Sequence, residues 1–336
     1  VQLITKAALI RLGILLGGLI FLLIAIGSLM ISMPGKSYSG QLPPLTPSQE
    51  QVSQQLNRYI KIIADDIGEH NYIFYNQLIQ VENFLNERLS QAGYAVKTQE
   101  YSVDGKVFRN LEIEIRGTEK PDEIVIVGAH YDSVVGSPGA NDNGTGAVAI
   151  LALAEKFATL KPKRTLRFVE FVNEEPPFFW SENMGSWVYA QRCKERQENI
   201  VAMLSLETMG FYSQASNSQQ YPVNILKLIY PNQGNFISFI GNISSRSLIH
   251  QAIGKFRNSA QFPSQGVSLP NFIPGVGWSD HWSFWQAGYP ALMVTDTAPF
   301  RYPYYHTQQD TPEQIDYYGL TLVISGLESV IQDLIE

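Results

Sequence analysis

The sequence has almost no cysteine: in 336 residues the single thiol is Cys193. One thiol excludes an intramolecular disulfide framework and any metal site built from several thiolates, so a bound metal must be held by His and carboxylates. Cys193 has no evident base partner and reads as structural. The chain also lacks an excess of positive charge. Its 24 Lys+Arg against 31 Asp+Glu give a formal net charge of -7, which excludes the broad electrostatic footprint of a nucleic-acid-binding protein. No internal repeat is present, and 45% hydrophobic residues suffice for one large packed domain.

Charge is missing altogether from Leu12 to Met33, a stretch rich in Leu, Ile, Gly and Phe that follows Lys6 and Arg11. Its length fits a helix crossing a bilayer. The basic flank predicts a cytoplasmic N-terminus, residues 1–11, and an exported side for everything after Met33. A cleaved signal peptide is the rival reading, but its apolar core is shorter and ends in a small-x-small site, which Ser32-Met33-Pro34 does not offer. The expectation is a single-pass membrane protein with an uncleaved signal-anchor at 12–33 and its globular domain on the periplasmic or extracellular side. Residues 34–49, rich in Pro, Ser, Gly and Thr, read as a linker extending off the membrane. The globular domain is expected over 50–336.

Apolar residues at three-and-four spacing predict two helices between Ser48 and Gly93, broken around Gly68 to Asn71. The period then changes to strands: Val96 to Val103, Phe108 to Ile115, Ile124 to Gly128, Thr165 to Val172, Ile200 to Leu206 and Ala291 to Thr295. Helices are expected at Thr145 to Thr159, Met184 to Glu195, Ser245 to Phe256 and Pro312 to Ile335. The alternation predicts a three-layer α/β/α sandwich around a mixed, centrally parallel sheet. In such sheets ligands gather beyond the carboxyl ends of the strands.

Chemistry-bearing residues fall at those ends. His130 follows the strand Ile124 to Gly128, and Asp132, two residues on, can supply the carboxylate that fixes an imidazole's tautomer. Asp142 lies in the turn Ala140-Asn141-Asp142-Asn143-Gly144-Thr145-Gly146, where it serves either as a carboxylate shared by two cations or as a helix N-cap. Asn173-Glu174-Glu175 ends the next strand. In extended chain the two Glu side chains point to opposite sides, one toward a metal and one toward the attacking water. Glu207 closes another apolar strand, and His306 sits in Tyr304-Tyr305-His306-Thr307-Gln308-Gln309-Asp310-Thr311.

The ordered set His-x-Asp, Asp-Asn-Gly-Thr-Gly, Glu-Glu, Glu, Ser-Asp-His and Tyr-His-Thr-x-x-Asp-Thr resembles the di-zinc aminopeptidases of peptidase family M28, relatives of glutaminyl cyclases and transferrin-receptor-like ectodomains. The resemblance covers roughly Asn71 to the C-terminus. It implies the zinc-dependent exopeptidase fold, a peptide substrate with a free N-terminus, and two zinc ions. It implies that His130 and Glu207 hold one ion, Glu175 and His306 the other, with Asp142 bridging. Glu174 is then the general base and Asp132 supports His130, while Asp280 or His281 of Ser279-Asp280-His281 orients Glu207, the water or the oxyanion. Pro176-Pro177-Phe178-Phe179-Trp180 departs from the family's Gly-rich stretch after the Glu pair, and Phe178, Phe179 and Trp180 are expected to line an apolar substrate pocket. The glutaminyl-cyclase branch, with aromatics after its Glu pair and one zinc, is the alternative. A non-catalytic receptor-like ectodomain is the third reading.

Overall fold

The computed structural model describes residues 5–336; residues 1–4 of the expected cytoplasmic segment lie outside the described residues. Helix α1 (Lys6–Ile31) is capped by the Thr5 side chain and ends where Ser32 turns extended, two residues before Pro34. Leu15 and Phe21 are among its exposed side chains. Helix α2 (Pro47–Lys61) starts at a Thr46/Gln49 capping box. A π-helical turn (Ile62–Ile67) and an irregular stretch separate it from α3 (Tyr75–Gln91), the break expected at Gly68 to Asn71.

Residues 34–46 do not stand off from the domain as a free linker. Arg257 donates to Pro34 O and Gly35 O, Ser264 N donates to Ser37 Oγ, and Tyr318 OH donates to Pro43 O. A strap saturated with such contacts loses the freedom that its Pro, Ser and Gly content allows an isolated peptide.

Eight strands form one sheet: β1 (Lys97–Val103), β2 (Lys106–Ile115), β3 (Lys120–His130), β4 (Arg164–Phe171), β5 (Asn199–Leu206), β6 (Ile237–Gly241), β7 (Ser264–Ser268) and β8 (Ala291–Thr295), in the order β1-β2-β4-β3-β5-β8-β6-β7. The centre β4-β3-β5-β8 is parallel, and the antiparallel joins are β1 to β2, β2 to β4 and β8 to β6. Strands β6 and β7 lie in a region whose sequence mixes Ser, Asn and Gln with short apolar runs, so their positions are set by pairing, β6 on β8 and β7 on β6, rather than by a local signal.

The remaining helices are α4 (Gly144–Phe157), α5 (Gly185–Glu195), α6 (Arg246–Ser259), α7 (His281–Ala287) and α8 (Tyr317–Ile335). Residues of β3 alternate between two cores. Val125, Val127 and Ala129 pack with α4 and α8, while Ile124 and Ile126 pack with Tyr189 and Cys193 of α5 and Phe284 of α7. Helices on both faces complete the three layers. Helix α8 is long and apolar enough to cross a membrane, but 67% of it is buried, and its apolar residues are those of the main core. The core accounts for its composition.

Candidate metal centre and active site

Parallel strands β3 and β5 end side by side, so His130, the last residue of β3, and Glu207, the residue after β5, meet at one point. His130 Nε2 lies 2.8 Å from Glu207 Oε2 and 3.4 Å from Asp142 Oδ1. His306 Nε2 lies 3.0 Å from Asp142 Oδ2 and 3.2 Å from Glu175 Oε1. Asp142 thus presents one oxygen to each imidazole. Two of the donor groups able to hold a metal share it: His130, Asp142 and Glu207 form one, and Asp142, Glu175 and His306 the other. A third joins His130 to Glu174 and Glu175.

The turn between β3 and α4 leaves Asp142 free for this position. The helix cap is its neighbour, Asn143, whose side chain accepts from Gly146 N at 3.1 Å and donates to Glu207 Oε2 at 3.2 Å. Gly146 is required because a Cβ there would collide with Leu206 O on β5. Asp310 holds the turn from the far side. Its carboxylate accepts from Asn141 N at 2.8 Å, Asp142 N at 3.1 Å and Tyr302 OH at 2.8 Å. Four residues after His306, Asp310 ties the loop of one imidazole to the turn of the shared carboxylate. Asp296 acts likewise, accepting from Asn141 Nδ2, Thr208 Oγ1 and Phe211 N.

The Glu pair is not displayed by extended chain. Strand β4 stops at Phe171, and Asn173 takes a left-handed φ of 59°. One carboxylate then fixes both acids: Asp132 Oδ1 accepts from Glu174 N at 3.0 Å and Oδ2 from Glu175 N at 3.1 Å. Asp132 also stays beside His130, whose Nδ1 lies 3.0 Å from the Asp132 backbone O and 3.5 Å from Oδ1, so one residue serves both the imidazole and the Glu amides.

Ser279-Asp280-His281 also distributes its work differently. Ser279 Oγ donates to Glu207 Oε2 at 3.3 Å. His281 Nε2 instead pairs with Val276 O at 2.8 Å, its ring against Trp285, and burial pushes its pKa down to about 4. Asp280 is sealed in with neither oxygen hydrogen-bonded, and burial pushes its carboxyl up to about 7. Glu170 on β4 is sealed in likewise, and no motif marks it.

The aromatics after the Glu pair do not line the main cavity. Phe178 packs edge-on against Tyr72 and Phe108. Phe179 stacks on Trp180, which leans on Trp282 and donates to Gly277 O. An apolar cavity opens instead beside Glu207, walled by Tyr221, Leu226, Tyr230, Phe236, Phe300 and Tyr305. Local periodicity could not reveal it, because loops far apart in sequence close over β6, β7 and β8. Tyr305, stacked on His306 at 3.8 Å between ring centroids, joins the cavity to that imidazole.

Desolvation governs the charges. Burial raises Glu174 well above the usual carboxylate range, with Glu207 and Glu175 adding repulsion. Burial likewise moves Glu175 to about 7 and Glu207 to about 8. Asp142 goes the other way: its burial is outweighed by the imidazoles of His130 and His306 beside it, which hold it well below its ordinary value. Burial opposes charging of His306, but Asp142 and Glu175 carry it to about 10. The cluster calls for positive charge at its centre.

The chain matches the description "Peptidase family M28" over residues 110–328 and belongs to that family. It is 30% identical to the protein YfbL of Escherichia coli K12 over 296 residues, which is 86% of this chain and 90% of YfbL. Among solved structures it is similar to BSAP, a zinc aminopeptidase from Bacillus subtilis, with TM-score 0.66 and 14% identity over 83% of this chain and 94% of that one. It is also similar to a Bacteroides thetaiotaomicron glutaminyl cyclase, with TM-score 0.62 and 17% identity over 87% and 99% of the two chains.

Asp310→Ala removes the acceptor of three buried donors, at about 1 kcal/mol or more each. A loss of about 3 kcal/mol in folding stability is expected, read as a lower urea midpoint at unchanged m-value. Asp310→Asn, which keeps one carbonyl acceptor, should lose distinctly less.

Proposed function

We propose that this chain is a zinc-dependent aminopeptidase with two zinc ions per chain, in which Glu174 moves the proton. The observation that carries this reading is a set of orphaned atoms. His130 Nε2, both Asp142 oxygens, Glu175 Oε1 and His306 Nε2 are buried without a hydrogen bond, a costly state for atoms that all can ligate zinc. The donor set fits: two imidazoles and three carboxylates, Asp142 common to both halves. Zinc held there supplies Lewis acidity to a substrate carbonyl and to a water.

The protein's own residues divide the remaining work. Glu174, whose carboxyl prefers a proton, takes one from the attacking water and delivers it to the leaving amine. Asp132 keeps Glu174 and Glu175 in register through their amides. Asn143 and Ser279 hold Glu207. Tyr305 fixes the ring plane of His306. The cavity beside Glu207 fits the bulky apolar side chain of a substrate's first residue. Helix α1 anchors the chain in a membrane as a single pass, with the catalytic domain on the exported side, because Leu12 to Met33 is uncharged and preceded by Lys6 and Arg11.

A second reading, a single-zinc glutaminyl cyclase, is favoured by the Phe179 and Trp180 stack directly after the Glu pair. The full-length protein in detergent, assayed with aminoacyl-, dipeptidyl- and N-terminal glutaminyl substrates with and without zinc, separates the two. Release of Leu, Met or Phe with two zinc ions per chain is expected; cyclisation with one ion would replace the aminopeptidase reading. Membrane-fraction retention after an alkaline wash checks the anchor, and a soluble form starting after Met33 would refute it.

Glu174→Gln should keep both metals and lower kcat roughly 100-fold or more with a smaller change in KM. Glu175→Gln should weaken zinc at one position, since an amide is a poorer ligand than a carboxylate, and added zinc should restore part of its activity. Full metal occupancy in Glu175→Gln with loss in Glu174→Gln would exchange the two roles.

A further inference from the structure

The acidic residues of this chain are unevenly distributed. Residues 208–279 contain no Asp or Glu, yet carry Lys227, Arg246, Lys255 and Arg257, in a chain of net charge -7. Among the described residues the one carboxylate in ion-pair range of these four is Asp333, beside Lys255. Lys227, Arg246 and Arg257 are uncompensated.

This basic region surrounds the base of α1. Arg246 Nε donates to Leu29 O, and Arg257 Nη1 donates to Pro34 O and Gly35 O. Met33 lies against Gly266 of the edge strand β7, and Gly266 O accepts from Tyr230 OH at 2.8 Å. Tyr230 follows a 3-10 turn, Asn224–Leu228. With three residues per turn, Ile225 and Leu228 share its outer side, where Leu228 is 82% exposed, while Leu226 turns inward to wall the cavity. Exposed Ile229 continues the outer face. At the end of β7, Ser268 Oγ donates to Asn242 O, and in the turn that follows Asn242 the Arg246 N donates to the O of exposed Ile243. Phe272, 81% exposed, follows four residues after Ser268.

We propose that this edge, built from Ile225, Lys227, Leu228, Ile243, Arg246 and Phe272, is a second membrane contact that seats the catalytic domain on an anionic phospholipid surface. The inference rests on α1 being the membrane anchor. Apolar side chains that project singly into water beside cations free of acidic neighbours match what an acyl-headgroup boundary binds. The occupant is a bilayer rather than a protein because the end of α1 is bonded to Arg246 of this edge, and the bonds of Pro34, Gly35 and Ser37 to Arg257 and Ser264 hold the domain close to the end of that helix. Leu226 and Tyr230 put the substrate cavity directly behind the seated face.

The test uses the full chain in lipid nanodiscs at one copy per disc. Leu228→Cys carries an environment-sensitive fluorophore, with Gln91→Cys as the exposed control and the buried Cys193 as unlabelled background. In phosphatidylcholine discs containing phosphatidylglycerol, spin-labelled lipids should quench position 228 at least about twofold more than position 91. High salt or removal of phosphatidylglycerol should reduce the difference. Ile225→Glu with Ile229→Glu should abolish quenching of a probe at Phe272→Cys. Equal quenching at 228 and 91 in disc-bound protein overturns the proposal. A probe buried only when two copies share a disc overturns it in favour of self-association. Failure of the chain to enter discs at all refutes the anchor instead.

Discussion

Four carboxylates, Asp142, Glu174, Glu175 and Glu207, are taken out of water within reach of two imidazoles, and most other features of the molecule serve to hold them there. Removing one charge from water costs several kcal/mol even after relaxation, and neighbouring charges of like sign add to that. Positive charge at the centre offsets both terms. Lone carboxylates in the same places would instead be retained as neutral acids, as the upward shifts of Glu174, Glu175 and Glu207 express.

Holding so repulsive a cluster requires rigid attachment, and the attachments are themselves carboxylates that accept backbone amides. Asp132 fixes the Glu pair, Asp310 the Asp142 turn, and Asp296 the contact between Asn141 and the end of β5. Each joins segments far apart in the chain. The sheet supplies the common floor, since β3, β4 and β5 are parallel neighbours ending at one level. A shift of any one strand would move a ligand away from the rest.

The two sides of the centre have different characters. Toward the Glu pair, Phe179, Trp180 and Trp282 form a stacked aromatic rim. Toward Glu207 the wall recedes into the apolar cavity, whose outer boundary is the basic edge next to α1.

The sequence alone indicated six of the eight strands and the alternating α/β order, because apolar runs of period two or 3.6 are local signals. It also offered His130, Asp142, Glu174, Glu175, Glu207 and His306 as candidate site residues, and the fold brings these six together. Only the tertiary structure decided what each neighbour does. Asp132 took on the Glu amides besides the imidazole, Ser279 rather than His281 reached Glu207, and Phe178 went to the core, because hydrogen-bond partners and packing neighbours are set by segments distant in sequence. The strap after α1 and the cavity behind β7 have the same origin: both consist of contacts between residues more than two hundred or many tens of positions apart, which no pattern along the chain encodes.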